Sequence, residues 1–375
     1  MMMDNGTFDV EAWNEDYARR YTVSTIVMVL YLILGIIGNL LVLIVYSTKM
    51  HSKHDDRYFI PFLASVDLSG CIISTSLILI ENNLPYKYPD SATCKFLNVS
   101  ACGLIISSMF LLLVISIQRY QKICRPFGFQ MNLSCKRIVA FGALLLASAF
   151  AFPTIFLYQT VEVDHPTKNI TGIRCGPVPN TETFGEVYRG IVITAEVISV
   201  ICMSVLYALV GYTLVKKMKP KPKSNHPIVP TSTQLSKAEK SKEESETYDS
   251  FTESQTIEKI GVKPSRRSVK NKKTKGLSGK QYSLMFMMIS LVSCLCFFPP
   301  WILVLLETKD KTFWNHLSYK EAQVLIIVRG LFVVNFVVNP FIYGFFDSKF
   351  RHKVWKCLSF CRIEGNVNCV RPKVK

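Results

Sequence analysis

The chain has 375 residues, of which 49% are hydrophobic, and carries 44 Lys and Arg against 27 Asp and Glu for a formal charge of +17. Its mean hydropathy of +0.25 exceeds what a soluble core needs, and the basic residues gather in loops while the apolar runs are almost free of charge. Lipid enforces that segregation, whereas a nucleic-acid-binding protein of equal charge would interleave it with the core, so a nucleic-acid partner is excluded.

Residues 1–22 are polar and acidic, with Asp4, Asp9, Glu11, Glu15 and Asp16 against Arg19 and Arg20, and they lack the pattern of a cleavable signal peptide. The first apolar run is long enough to serve as its own insertion signal. Crossing a bilayer takes about 20 apolar residues in a helix, which gives seven spans at roughly 23–47, 58–81, 92–118, 137–159, 187–215, 281–306 and 322–345. Backbone facing lipid must satisfy itself, so the expected fold is an all-α seven-transmembrane helix bundle occupying residues 23–345.

Between the fifth and sixth spans, residues 216–280 are rich in Lys, Ser, Thr, Pro and Glu and read as a disordered loop, basic at both ends and acidic around Glu243–Glu258. Its basic ends suit anionic lipid headgroups, and its hydroxyls are phosphorylation candidates. Residues 346–375 form a tail that begins with a short amphipathic helix from Asp347 to Phe360, expected along the membrane face, with Cys357 and Cys361 as palmitoylation candidates or free thiols.

Charge sets the expected orientation. The loop after the third span holds Lys122, Arg125, Lys136 and Arg137 without an acid, and the C-terminal tail is strongly basic. These favour the cytoplasm and leave the N-terminus outside, in a multi-pass plasma-membrane protein. The sequons at Asn5 and Asn169 then fall outside as glycosylation candidates, whereas that at Asn132 falls inside and is a chance match.

Polar groups inside spans are costly, so Asn39, Asp67, Ser108, Glu196, Arg329, Asn335 and Asn339 are either mechanism or fasteners between helices. Most cysteines, including Cys71, Cys102, Cys202, Cys294 and Cys296, lie in apolar runs and read as small buried hydrophobes; Cys94 and Cys175 lie in polar segments. No zinc-spaced CxxC, HExxH or paired acid appears in the spans, and neither an internal repeat nor an even span count supports a transporter, so the expectation is a non-enzyme without a metal.

Several motifs in register carry a family resemblance. The first span has Gly38-Asn39, and the second has Leu63-Ala64-Ser65-Val66-Asp67-Leu68. The third ends in Gln118-Arg119-Tyr120, the sixth has Cys296-Phe297-Phe298-Pro299, and the seventh has Asn335 and then Asn339-Pro340-Phe341-Ile342-Tyr343. In this order and in these spans they resemble the signatures of rhodopsin-like G-protein-coupled receptors.

The resemblance implies definite roles. Cys94 and Cys175 would form a disulfide tying the second outer loop to the third helix. Arg119, with Gln118 and Tyr120, would sit at the cytoplasmic mouth to engage a heterotrimeric G protein, with Tyr207 and Tyr343 swinging toward it. Asp67, Ser108, Asn335, Asn339 and Asn39 would line a sodium-and-water pocket, with a sodium ion at Asp67 as the one candidate cofactor. Pro299 would kink the sixth helix, Pro340 would belong to the activation switch with Asn339 and Tyr343, Phe297 would be the aromatic toggle, and arrestin and a receptor kinase would be further partners.

The departures are as specific. Position 118 is Gln where an acid is expected, and Gly279 and Lys280 offer none at the start of the sixth span, which predicts raised basal signalling. The fourth span lacks Trp, the fifth lacks Pro, and Phe336 stands where a polar residue is usual, marking a divergent member. Ala101 replaces the aspartate of amine receptors and Val333 the lysine of opsins, which excludes monoamines and retinal. Ligand candidates are Glu81, Ala101, Glu196, Trp301, Gln323 and Arg329, with Arg329 expected to pair with Glu196, a loop acid or an acidic ligand group. Alternating β-formers around Cys175 resemble the hairpin lid of peptide receptors, making a neuropeptide the expected ligand, with a chemosensory small molecule or a non-signalling decoy as alternatives.

Overall fold

The computed structural model describes residues 9–46, 57–218, 266–310 and 313–364, with side-chain surroundings given for all of these except 218, 266–279, 314–315, 319, 357–358 and 360–364. Asn5 lies outside the described residues, as does the interior of the long loop, and nothing is described around the Cys357 and Cys361 side chains.

Helix α1 (Val10–Arg20) is built from the polar N-terminal stretch. Asp9 caps it by accepting the Ala12 amide at 3.0 Å, and Arg19 and Arg20 face the negative end of its dipole. Helix α2 (Thr22–Ile44) turns Met28, Gly35, Asn39 and Val42 inward at helical spacing, while Ile26, Leu30, Ile33 and Ile37 point outward as a lipid-facing stripe. Helices α3 (Phe59–Asn83) and α4 (Ser91–Cys124) follow, and α4 is buried at intervals all the way from Cys94 to Arg119. The fourth crossing is α5 (Leu133–Ala151) continued by one turn, α6 (Thr154–Leu157), after a break before Pro153. A hairpin of β1 (Tyr158–Asp164) and β2 (Thr171–Pro177) then leads to α7 (Glu182–Met218) and α8 (Arg266–Lys309). The chain ends in α9 (Tyr319–Arg329), α10 (Phe332–Phe346) and α11 (Ser348–Glu364).

Among the described residues, six helices are long and apolar enough to cross a membrane, and α9 with α10 makes a seventh crossing bent by 58°. The bend falls inside the single span expected at 322–345, which hydropathy does not resolve into two helices. Where α9 ends it packs close to α2: a Cβ at Gly330 would stand 2.4 Å from Met28 Cε, the flexible end of that side chain. Gly70 plays the same part against the Phe336 ring, which a Cβ would approach to 2.7 Å. The large ring at 336 is thus matched by a missing side chain on α3.

Several helices overrun their expected bounds. Hydropathy reports only the part in lipid, whereas a nucleated helix propagates cheaply beyond it, as α4 does on to Cys124 and α8 does into the stretch 266–280 expected to lack structure.

Candidate functional site

At the end of the bundle carrying the hairpin, a cavity of about 390 Å³ opens between α1, α3, α7, α8 and α9. Its walls hold three guanidinium groups, Arg174, Arg189 and Arg329, against the carboxylates of Glu81 and Glu307. Tyr17, Tyr21, Tyr86 and Tyr158 add phenolic rings. Burial raises the pKa of Tyr21 and Tyr158, so both remain hydrogen-bond donors at neutral pH.

Arg329 lies 3.9 Å from Glu307 with 61% of its side chain exposed to the cavity, a loose and wet contact. Of the partners expected for it, Glu196 does not pair with it, and the acid beside it is Glu307, just past the sixth apolar run. Glu196, 6% exposed, instead accepts the Trp301 indole N–H at 2.8 Å, and Trp301 stacks over Phe297 at 6.1 Å. An indole supplies the donor that a buried carboxylate needs without a second charge, and Arg329 keeps its solvent. Of the six ligand candidates, Glu81 and Arg329 line the cavity. Ala101 is buried beside Leu77 and Leu97, and Gln323 donates to the Arg20 carbonyl. Sequence reading missed Arg174, Arg189, Glu307, Tyr17 and Tyr21 because they lie outside or at the ends of apolar runs.

The roof is tied down from three sides. Strands β1 and β2 pair antiparallel with Thr160 opposite Cys175, and Cys175 is bonded to Cys94 at the start of α4, as the motif resemblance implied. Ile173 exchanges backbone hydrogen bonds with Tyr86 and Tyr88 at 2.8 and 2.9 Å. Trp13 of α1 stacks on Tyr86 at 3.7 Å, while Asn14 donates to the Asn83 carbonyl at 3.0 Å and accepts the Tyr86 amide at 3.1 Å. Glu11 and Lys87 close an ion pair outside it. Residues read as a tail are thereby part of the cavity wall. Asn169 stands exposed in the hairpin turn, open to modification.

In the middle of the bundle, Asn39, Asp67, Ser108, Asn335 and Asn339, five of the polar residues singled out within the spans, are fully buried. Asp67 accepts from Asn339 at 2.7 Å on one oxygen and from Ser108 at 3.2 Å on the other. Asn335 donates to Ser108 at 3.1 Å and accepts from Ser293 at 2.5 Å. Asn39 holds the Phe336 carbonyl at 2.9 Å, bridging α2 to α10. Ser293, from α8, escaped sequence reading because a single serine in an apolar run gives no signal. Asn339 Oδ1 is buried beside Asp67 without a hydrogen-bond partner.

At the far end Arg119 is 1% exposed, its guanidinium 4.7 Å over the Phe286 ring of α8. Gln118 is buried with it, and the Tyr120 ring lies 5.9 Å beneath the Arg125 guanidinium. Tyr207 is buried, and so is Tyr343, whose hydroxyl lacks a hydrogen-bond partner. Pro299 and Pro300 lie inside α8 between this end and the cavity, and Pro340 lies inside α10.

Seven apolar crossings, a disulfide-pinned hairpin over a polar cavity and a buried arginine at the opposite end define a multi-pass helical membrane protein of the seven-transmembrane class. The profile of the 7 transmembrane receptor (rhodopsin family) matches residues 38–343, and the chain belongs to that family.

Among individual relatives, it is 25% identical over 220 residues to the substance-K receptor of Canis lupus familiaris, a match covering 58% of this chain and 56% of that receptor. It is 22% identical over 345 residues to the neuropeptide Y receptor type 1 of Xenopus laevis, covering 88% of this chain and 79% of that one. It is 26% identical over 188 residues to the tachykinin-like peptides receptor 99D of Drosophila melanogaster, covering 47% and 35% respectively. The match thus spans little more than half the length of the substance-K receptor.

Proposed function

We propose that this chain is a plasma-membrane receptor that binds a peptide at the hairpin end and activates a heterotrimeric G protein at the Arg119 end. The observation that carries the reading is the cavity itself, where Arg174, Arg189 and Arg329 outnumber Glu81 and Glu307. Such a site attracts a ligand bearing an acidic side chain or free carboxylate, with the phenols as further donors. Peptide binding draws support from relatives named for tachykinins and neuropeptide Y. A small molecule is the second reading, favoured by a cavity volume of about 390 Å³.

In this reading the hairpin end faces outward, in keeping with basic loops at the other end. An anionic ligand group competes with Glu307 for Arg329. Glu307 belongs to α8, so its release loosens the outer end of α8 against α9. Pro299 and Pro300 let that helix pivot, because proline removes backbone hydrogen bonds. The Arg119 end then opens for the G protein, and arrestin and a receptor kinase act on the same face. Anionic lipid meets the basic residues there.

A sodium ion fits the Asp67 network, whose donors are all oxygen or amide and include the orphaned Asn339 Oδ1. It would bind where Asp67, Ser108 and Asn335 meet and oppose opening by holding α3, α4 and α10 together.

The test is nucleotide exchange by G protein on cells bearing this chain, screened with peptide pools ending in carboxylate or in carboxamide. Activation by carboxylate pools that falls at least tenfold with Arg329→Gln supports the reading. Activation indifferent to Arg174, Arg189 and Arg329 would overturn it.

A further inference from the structure

The Arg119 end contains a second buried carboxylate. Asp347, 3% exposed, sits at the junction of α10 and α11. Its Oδ2 accepts from the Tyr46 hydroxyl at 2.8 Å and the Tyr282 hydroxyl at 3.0 Å, and lies 3.4 Å from Arg57 Nη2. Its Oδ1 accepts the backbone amides of Lys349 at 3.0 Å and Phe350 at 3.2 Å. The Arg57 guanidinium also lies 4.7 Å over the Tyr282 ring. One side chain therefore gathers the segment after α2, the entry to α3, the helix α8 and the start of α11.

These partners are unequal in what they hold. The amides belong to the same helix as the carboxylate. Tyr46 is held independently, stacked on Phe350 at 5.5 Å and edge-on to Tyr343 at 6.1 Å. Arg57 enters α3 beside Phe59, which is buried in the core. Among these partners Tyr282 alone comes from α8, so its hydroxyl bond and its face against Arg57 are the contacts of this cluster that break when that end of α8 leaves the bundle, together with the Phe286 ring against Arg119.

We propose that Asp347 is the residue that holds α8 closed in this chain, supplying through Tyr282 the restraint that position 118 and positions 279–280 lack the acid to provide. The inference rests on the reading of the chain as a G-protein-activating receptor. A bond to an ionised acceptor is roughly twice as strong as a neutral one, which gives the contact weight despite its being single. The open state stays accessible because Tyr46, Arg57 and two amides still neutralise Asp347 after Tyr282 departs, leaving no bare buried charge. Such a latch is strong enough to bias the equilibrium and weak enough for a ligand to release.

The test uses the purified full chain in lipid nanodiscs, with spin labels on unnatural side chains at exposed positions 281 on α8 and 352 on α11, and ligand-free nucleotide exchange on added heterotrimer. Tyr282→Phe removes one hydroxyl and keeps the ring beneath Arg57, so the fold is retained; Asp347→Asn weakens every bond to Oδ2. Both are expected to enrich the longer 281–352 distance, roughly tenfold for Tyr282→Phe as one charge-assisted bond is worth, and to raise basal exchange. A variant that merely misfolded would lose exchange instead. An unchanged distance distribution in Tyr282→Phe overturns the proposal. A longer distance without a rise in exchange on any heterotrimer upholds the latch and removes the G-protein reading.

Discussion

Glu196 and Trp301 are joined across α7 and α8 by a 2.8 Å hydrogen bond, and Trp301 continues as a stacked pair onto Phe297. The fifth and sixth crossings are thereby coupled one turn below Val304, which lines the cavity. Leaving a buried carboxylate without its donor costs about 1–3 kcal/mol. Trp301→Phe should therefore lower the thermal midpoint in nanodiscs more than Glu196→Gln, which keeps an acceptor oxygen for the indole. Equal losses would show that the bond is immaterial.

Trp13 is 2% exposed against Tyr86, and α1 has little else apolar to bury. Truncating a buried Trp to Ala costs about 3–5 kcal/mol, more than an 11-residue helix can hold by itself. Trp13→Ala should make amides 10–20 exchange freely with solvent deuterium while those of α4 stay protected. Retained protection at residues 10–20 would mean that Asn14 and Glu11 suffice.

The Asp67 network predicts ion selectivity. Sodium, and not potassium at equal ionic strength, should raise the thermal midpoint of the ligand-free chain, and Asp67→Asn should remove that difference. A response equal for both ions would leave Asp67 a fastener between helices.

Gln118 sits beside a buried Arg119 without the acidic charge that the family motif places there. Gln118→Glu should reduce ligand-free nucleotide exchange several-fold by favouring the closed state. Exchange equal to that of the unaltered chain would mean that restraint lies elsewhere, as the Asp347 cluster offers.

Much of this was legible in the sequence. Seven apolar runs locate the crossings because lipid leaves helices little choice, and Asp67, Ser108, Asn335 and Asn339 meet because polar groups in lipid must find each other. The Cys94–Cys175 bond was implied only by the motif resemblance. What was hidden depended on close approach or on residues near the ends of spans. The bend between α9 and α10 was hidden because a hydropathy window registers apolar content and not backbone direction. Trp13 looked like part of a polar tail, and Arg174 and Glu307 like ordinary loop and helix-end charges, because their meeting is set by the hairpin and by α1. For Arg329 the sequence left Glu196 and a loop acid both open, and the acid beside it is Glu307, just past the sixth apolar run, while Glu196 faces Trp301.

The most direct test of signalling by this chain is G-protein nucleotide exchange, with and without peptide pools, on cells bearing it or its Arg119→Ala variant at matched surface levels. Signal from the unaltered chain, ligand-free or peptide-driven, that vanishes with Arg119→Ala is the predicted result. Signal that survives the loss of Arg119 contradicts the assignment of this end of the bundle as the coupling site.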